Sequence, residues 1–324
     1  MTWFSPPRGT LGAAALCLAL ASPAVHAEFP ERAITMVVPT AAGGGNDTLA
    51  RVIGQKMGEL LGQTVIVVNK PGAQGAIAAD YVARQPADGY TLMLGYIGTH
   101  GINPALQKLN YDPVRDFTAI GMVADSPTLM VVSSSIGVQD VPGLLKYGQA
   151  HPDGLSYASA GPGTAPAVAG ELFNRATGAA MLEIPYKGSA PAMTDTLAGV
   201  TQVMFPSLFS AYPHLKSGKI RALGVAGTRR AKVLPDMPTL AELGVPGVDV
   251  AQWYAVFAPA NADPQVVAKL NTALNGALND PAVAAKIDDQ GAEVRTSTPA
   301  ELAAFVREEA VKWKKLASTI HAAL

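Results

Sequence analysis

The residues best placed to do chemistry in this sequence are two glycine-containing turns. The first, Pro39-Thr40-Ala41-Ala42-Gly43-Gly44-Gly45-Asn46-Asp47, joins an apolar run to an amphipathic pattern. Successive glycines let backbone N–H groups point outward without interference from Cβ. The start of a following helix adds unsatisfied donors and a partial positive charge. Together these form an anion site that needs no basic side chain. The plain alternative is a tight turn with Asn46 or Asp47 as helix cap. The second turn, Ser159-Ala160-Gly161-Pro162-Gly163-Thr164, offers the same geometry, or is an ordinary Ser/Gly loop. Two such turns on facing lobes would grip the two ends of a small polyanion.

Few charged side chains accompany them. Arg51 lies one helical turn on, and Lys187, in Pro185-Tyr186-Lys187-Gly188-Ser189, either helps at a cleft or is a solvated loop lysine. Gly98, Thr99 and His100 follow a strand end, with His100 either a cleft donor or a capping residue. Tyr96, Phe205 and Trp253 are candidates for apolar walls, with core packing as the ordinary role for each. Catalytic signals are missing. The sequence holds no G-x-S-x-G elbow, H-E-x-x-H, P-loop or C-x-x-C. Gly43-Gly44-Gly45-Asn46-Asp47-Thr48 fails G-x-G-x-x-G at its last position. His100, His151, His214 and His321 are widely separated. We therefore expect no catalytic residue, no metal and no cofactor.

Elements that could position these turns alternate along the chain. Ile34–Val38 reads as a buried strand, and Leu49 to Leu61 carries helical spacing closed by Gly62. Further strands are expected at 64–68, 91–95, 155–158, 181–184, 201–205 and 220–225, and further helices at 75–84, 166–177, 264–278, 282–288 and 299–320. Strands alternating with helices imply βαβ units and a mostly parallel sheet. Pro127–Ser133 and Val250–Ala258 read as crossings between two series, which divides the chain into 28–126 plus 251–324 as one lobe and 127–250 as the other.

Composition sets the class. With 324 residues, 15% charged and 49% apolar, the chain is too large for one ordinary core and too apolar for disorder. Lys and Arg number 24 against 25 Asp and Glu, so the basic excess that nucleic-acid binding draws on is absent. Residues 1–27 have the character of a secretory signal: Arg8, the apolar run Leu11–Ala21, and Val25-His26-Ala27 before a cut after Ala27. Eleven apolar residues fall well short of the ~20 of a membrane span. Cys17, the single cysteine, lies inside that run, so the exported chain would hold no disulfide. We expect a soluble, exported protein, monomeric.

A series of short segments resembles the tripartite tricarboxylate transporter substrate-binding family, the Bug receptors. They are Phe29-Pro30, Val38-Pro39 leading into Ala42-Gly43-Gly44, Asn69-Lys70-Pro71-Gly72-Ala73, Asp88-Gly89-Tyr90-Thr91-Leu92, and Thr99-His100 before Asn103-Pro104-Ala105-Leu106. Tyr111-Asp112-Pro113, Ala169-Gly170-Glu171-Leu172-Phe173, Pro185-Tyr186-Lys187-Gly188, Pro235-Asp236-Met237-Pro238-Thr239 and Ala258-Pro259-Ala260 continue it. The resemblance implies a type II periplasmic binding protein: two α/β lobes, two crossing strands, and closure over a carboxylated solute. In such receptors the turn after the first strand holds one carboxylate through main chain and water, and the turn matching Ser159–Thr164 helps hold the other. The sequence departs from the family where Thr40-Ala41-Ala42 replaces an aromatic and prolines, where Pro206 replaces an Asp after Phe205, and where Ala167 replaces a His. Loss of that Asp removes a partner for a ligand ammonium, so an unaminated dicarboxylic or aromatic acid is expected. Delivery to membrane permease subunits is the leading function. A co-receptor for a sensor kinase or chemoreceptor is the alternative, and a periplasmic hydrolase or isomerase the third.

Overall fold

The computed structural model describes residues 1–3, 28–151 and 154–321. The expected signal segment therefore lies almost wholly outside the described residues. The first lobe opens with β1 (Ile34–Val38), α1 (Gly45–Leu61), β2 (Val65–Asn69), α2 (Ala76–Ala83), β3 (Thr91–Tyr96), the short α3 (Asn103–Leu106) and β4 (Phe117–Ser126). The second is built from β5 (Leu129–Ser133), α4 (Val141–Ala150), β6 (Ser156–Ser159), α5 (Ala165–Thr177), β7 (Leu182–Pro185), α6 (Ser189–Leu197), β8 (Val203–Met204), α7 (Leu208–Leu215) and β9 (Ile220–Val225). The chain then returns through β10 (Gln252–Pro259), α8 (Pro264–Leu278), α9 (Pro281–Asp288), β11 (Glu293–Val294) and α10 (Pro299–His321).

Two mixed sheets result. The first has the order β11-β4-β10-β3-β1-β2 and the second β7-β6-β8-β5-β9. β1 pairs in parallel with β2 and β3, and β6 in parallel with β7 and β8. The return strand β10 runs antiparallel between β3 and β4, with all eight residues buried. This is the α/β, two-lobed architecture expected, but the sheets are not mostly parallel. β11-β4, β4-β10 and β10-β3 in the first and β8-β5 and β5-β9 in the second are antiparallel, because the chain enters and leaves each lobe through these strands.

The crossings are shorter than the sequence suggested. β4 was not among the expected strands, yet it carries the chain to the edge of the first lobe. Only Pro127 and Thr128 then separate it from β5. At the return, β10 lies entirely within the first sheet, so the connection ends at Ala251. The two crossings touch. Thr128 Oγ1 donates to Val250 O, Gln252 Nε2 donates to Thr128 Oγ1 at 3.2 Å, and Ala226 N donates to Thr128 O at 2.8 Å. α10 is pinned to the first lobe by Glu309, which is buried and accepts from the indoles of Trp253 and Trp313 at 2.8 Å each.

Candidate ligand-binding cleft

Between the sheets lies a cavity of about 500 Å³, a volume typical of small-molecule sites. The first lobe supplies its floor from the loops that follow β1 and β2 and from Tyr96, Gln252 and Tyr254. The second lobe supplies Ala160 and Thr164–Pro166, Tyr186–Ser189, and Ser207 with Ser210. Most of these loops follow the carboxyl ends of strands, where open α/β sheets place ligands.

Helix starts dominate the lining. α1, α2, α5 and α6 begin there, with Gly44, Gly75, Thr164 and Gly188 as their N-caps, and none has a side-chain cap. The Thr164 hydroxyl is spent donating to Gly161 O at 2.6 Å. Elsewhere α4, α8 and α9 are capped by Asp140, Asp263 and Asp280, and α7, which also starts at the cavity, is capped by Ser207. Uncapped N-termini leave backbone donors and positive dipole ends facing the cavity. Thr40 and Asn46 line the same space, and Thr40 Oγ1 and Asn46 Nδ2 are buried without a hydrogen-bond partner. Among the described residues Lys187 is the single charged side chain of the lining, and no carboxylate lines it.

Of the residues singled out in the sequence, Thr40, Ala41, Asn46, Tyr96, Ala160, Thr164 and Lys187 line the cavity, whereas Trp253 is a buried core residue bonded to Glu309. Others take different places. Asp47 is buried beneath the first turn and organises it. It accepts from Gly43 N (2.9 Å), Asn69 Nδ2 (2.9 Å) and Arg51 Nε (3.0 Å), while Asn69 Nδ2 also donates to Thr40 O at 3.1 Å. Burial pushes the Asp47 carboxyl up, but these donors and the Arg51 charge outweigh it and hold its pKa below the usual carboxylate value. The N–H of Gly43 is thus already satisfied, and Gly43 and Gly44 face an adjoining cavity of about 310 Å³ while Ala42 is exposed.

The second turn is a packing device more than a cradle. Ser159 Oγ, fully buried, accepts from Gly161 N at 3.0 Å and donates to Glu183 Oε1 at 2.6 Å. A Cβ on Gly163 would lie 2.5 Å from Asn103 Oδ1 of the first lobe. These glycines serve close approach of the lobes. Phe205 is also buried, packed on Tyr157 and Phe173 at centroid distances of 6.3 and 5.9 Å.

Gly98, Thr99 and His100 sit one layer below the lining. A Cβ on Gly98 would strike the Tyr96 ring at 2.5 Å, so Gly98 makes room for a cavity wall. Thr99 Oγ1 donates to Tyr96 O at 3.1 Å and lies 2.9 Å from His100 Nδ1. His100 is fully buried, stacked on Phe257 at 3.9 Å, and burial lowers its pKa to about 3. It is a neutral core histidine, not a cleft donor. Conversely, the loop Pro71–Gly75, Ser189, Ser207, Ser210, Gln252 and Tyr254 line the cavity and were not singled out. Gly72 and Gly75 after an expected strand were the available signal for that loop.

With that geometry in view, the comparisons with known proteins fall into place. The sequence model described as tripartite tricarboxylate transporter family receptor matches residues 49–321. The chain belongs to this family. BugT of Bordetella pertussis is 34% identical over 297 residues, 91% of this chain and 91% of BugT. MatC of Rhodopseudomonas palustris, solved with bound malate, superposes with a TM-score of 0.84 at 36% identity, covering 89% of this chain and 100% of MatC. Rpa4515 of R. palustris, solved with adipate, gives 0.86 at 36% identity, covering 90% and 98%. The family is one of periplasmic substrate-binding receptors, not enzymes. Among the described residues no helix is long and apolar enough to cross a membrane, and no group of three His, Cys, Asp or Glu could hold a metal.

Proposed function

We propose that this receptor is exported after removal of residues 1–27, captures an unaminated dicarboxylic or aromatic acid between its lobes, and hands it to permease subunits of a tripartite tricarboxylate-type transporter. The lobes are 28–126 with 251–324, and 127–250, and they hinge at Pro127–Thr128 and near Ala251. One observation carries the ligand class: four helix N-termini without side-chain caps meet around a cavity that, among the described residues, no carboxylate lines. That arrangement favours an anion and offers a ligand ammonium no counter-charge. The Pro206 carbonyl, which could have held an ammonium, accepts from Leu129 N at 2.9 Å. With Lys187 as the only full charge of the lining among the described residues, the ligand's charge is modest: carboxylates rather than phosphate clusters. Binding of malate by MatC and of adipate by Rpa4515 supports the reading.

Thermal-shift measurements with malate, adipate, benzoate, aspartate and glutamate at one pH test it. A ligand at 100 Kd should add about 2.7 kcal/mol of stability. We expect the unaminated acids to act at lower concentration than the amino acids. Binding of aspartate or glutamate alone would refute the assignment.

A further inference from the structure

Residues 72–75 form an unusual turn at the cavity mouth. Gly72, Ala73, Gln74 and Gly75 have φ of 130°, 44°, 51° and 91°, four positive values in succession. Glycine adopts this region without steric cost, whereas Ala73 and Gln74 carry a Cβ that opposes it. The hydrogen bonds that hold Gln74 in place run to its backbone. Tyr96 Oη and Asn103 Nδ2 both donate to Gln74 O, at 3.1 and 2.9 Å, and Gly75 N donates to Gly72 O at 2.9 Å. Glycine at 74 would accept the same bonds with less strain, so the turn does not explain the side chain.

What the side chain does is reach across the cleft. Half-buried at the cavity rim, it lies against Gly161 of the second lobe: a Cβ on Gly161 would be 3.2 Å from Gln74 Nε2 and 3.5 Å from its Cγ. Gly161 itself has φ of 107°. A long side chain held in a strained backbone on one lobe thus meets a residue without a side chain on the other. Backbone strain at a ligand clamp is where such outliers carry function. We infer that Gln74 is a positioning residue, a strap whose reach to Gly161 sets the closed separation of the lobes over the ligand. This deepens the receptor reading by naming what holds the closed form, and it does not depend on the ligand's chemistry.

The test therefore uses no ligand. Spin labels at Thr64→Cys and Ala176→Cys, both exposed and on different lobes, report the interlobe distance, and no cysteine follows Cys17 to interfere. We expect Gln74→Asn, one methylene shorter and better suited to positive φ, to lower the closed-to-open ratio about fivefold, as does Gln74→Gly. Gln74→Met, which keeps the reach, should retain it. Melting temperatures of the Asn and Gly variants should equal or exceed the parent's. An unchanged distance distribution in Gln74→Asn, an equal loss in Gln74→Met, a parent without a closed population, or a lowered melting temperature in Gln74→Gly would each overturn the inference.

Discussion

Asn46 is the residue on which ligand binding and folding should pull in opposite directions. The residue is 7% exposed at the start of α1 and lines the cavity, and its Nδ2 is buried with no partner. A buried donor left unsatisfied costs about 1–3 kcal/mol. Asn46→Ala removes that donor from the empty protein and loses some packing in return. The net expectation is a ligand-free protein about 1 kcal/mol more stable, which raises the melting temperature by about 2 °C for a chain of this length. The bound protein changes the other way. A hydrogen bond to a charged group contributes about 1.5–3 kcal/mol, so affinity for an anionic ligand should fall roughly tenfold to a hundredfold. Urea unfolding of ligand-free protein, with calorimetric titration of malate or adipate, reads both numbers on one preparation. A variant that is less stable by 1 kcal/mol or more, and binds as the parent does, would show that Asn46 supports the helix and not the ligand.

Three further substitutions probe the layers around the site. Asp47→Ala leaves Gly43 N and Asn69 Nδ2 without their acceptor and should cost about 3 kcal/mol in urea unfolding. Because the Asp47 pKa is depressed, its contribution is present above the unfolded carboxylate pKa and lost only as pH falls below it, so the deficit should be constant at neutral pH. His100 has a folded pKa of about 3 through burial, against about 6.5 unfolded. The unfolded chain then binds the extra proton between these values, and stability falls as pH drops below about 6.5, by roughly 2 kcal/mol at pH 5. His100→Phe should remove that slope, and parallel pH–stability curves for variant and parent would contradict the burial argument. Gly163→Ala and Gly178→Ala both place Cβ at positive φ, 76° and 71°, but only the first meets the other lobe. Both should lose about 1 kcal/mol of stability, whereas only Gly163→Ala should weaken ligand binding.

Much of the architecture was legible because periodicity and punctuation agree. Ile34–Val38 and Ile220–Val225 match their expected bounds, as does Pro264–Leu278, and apolar runs closed by Gly or opened by Pro are strong local signals. β4 was not legible for a definite reason. Phe117–Ser126 is buried on both faces between β10 and β11, and its Ala, Gly and Met content shows neither alternation nor a β-branched run. Missing it displaced the expected crossings into β5 and β10, although both connections lie close by.

The site divides along another line, namely whether a donor finds a partner inside the protein. The first turn does present groups to the cavity, but through Thr40, Ala41 and Asn46, because Asp47 takes the Gly43 N–H. In the second turn Ser159 takes the Gly161 N–H. From sequence, a glycine that exposes its N–H, one that needs positive φ, and one that admits a neighbour look the same. Gly163 and Gly161 are of the last two kinds, since Asn103 and Gln74 occupy the space a Cβ would take. The residues that distinguish these uses lie far away in the chain, 60 positions from Gly163 and 87 from Gly161. Local pattern therefore located the two turns, while the space beside Gly161 and Gly163 is filled by side chains arriving from the opposite lobe. The distance between the lobes in this structure is thus matched by small residues set against side chains across the gap.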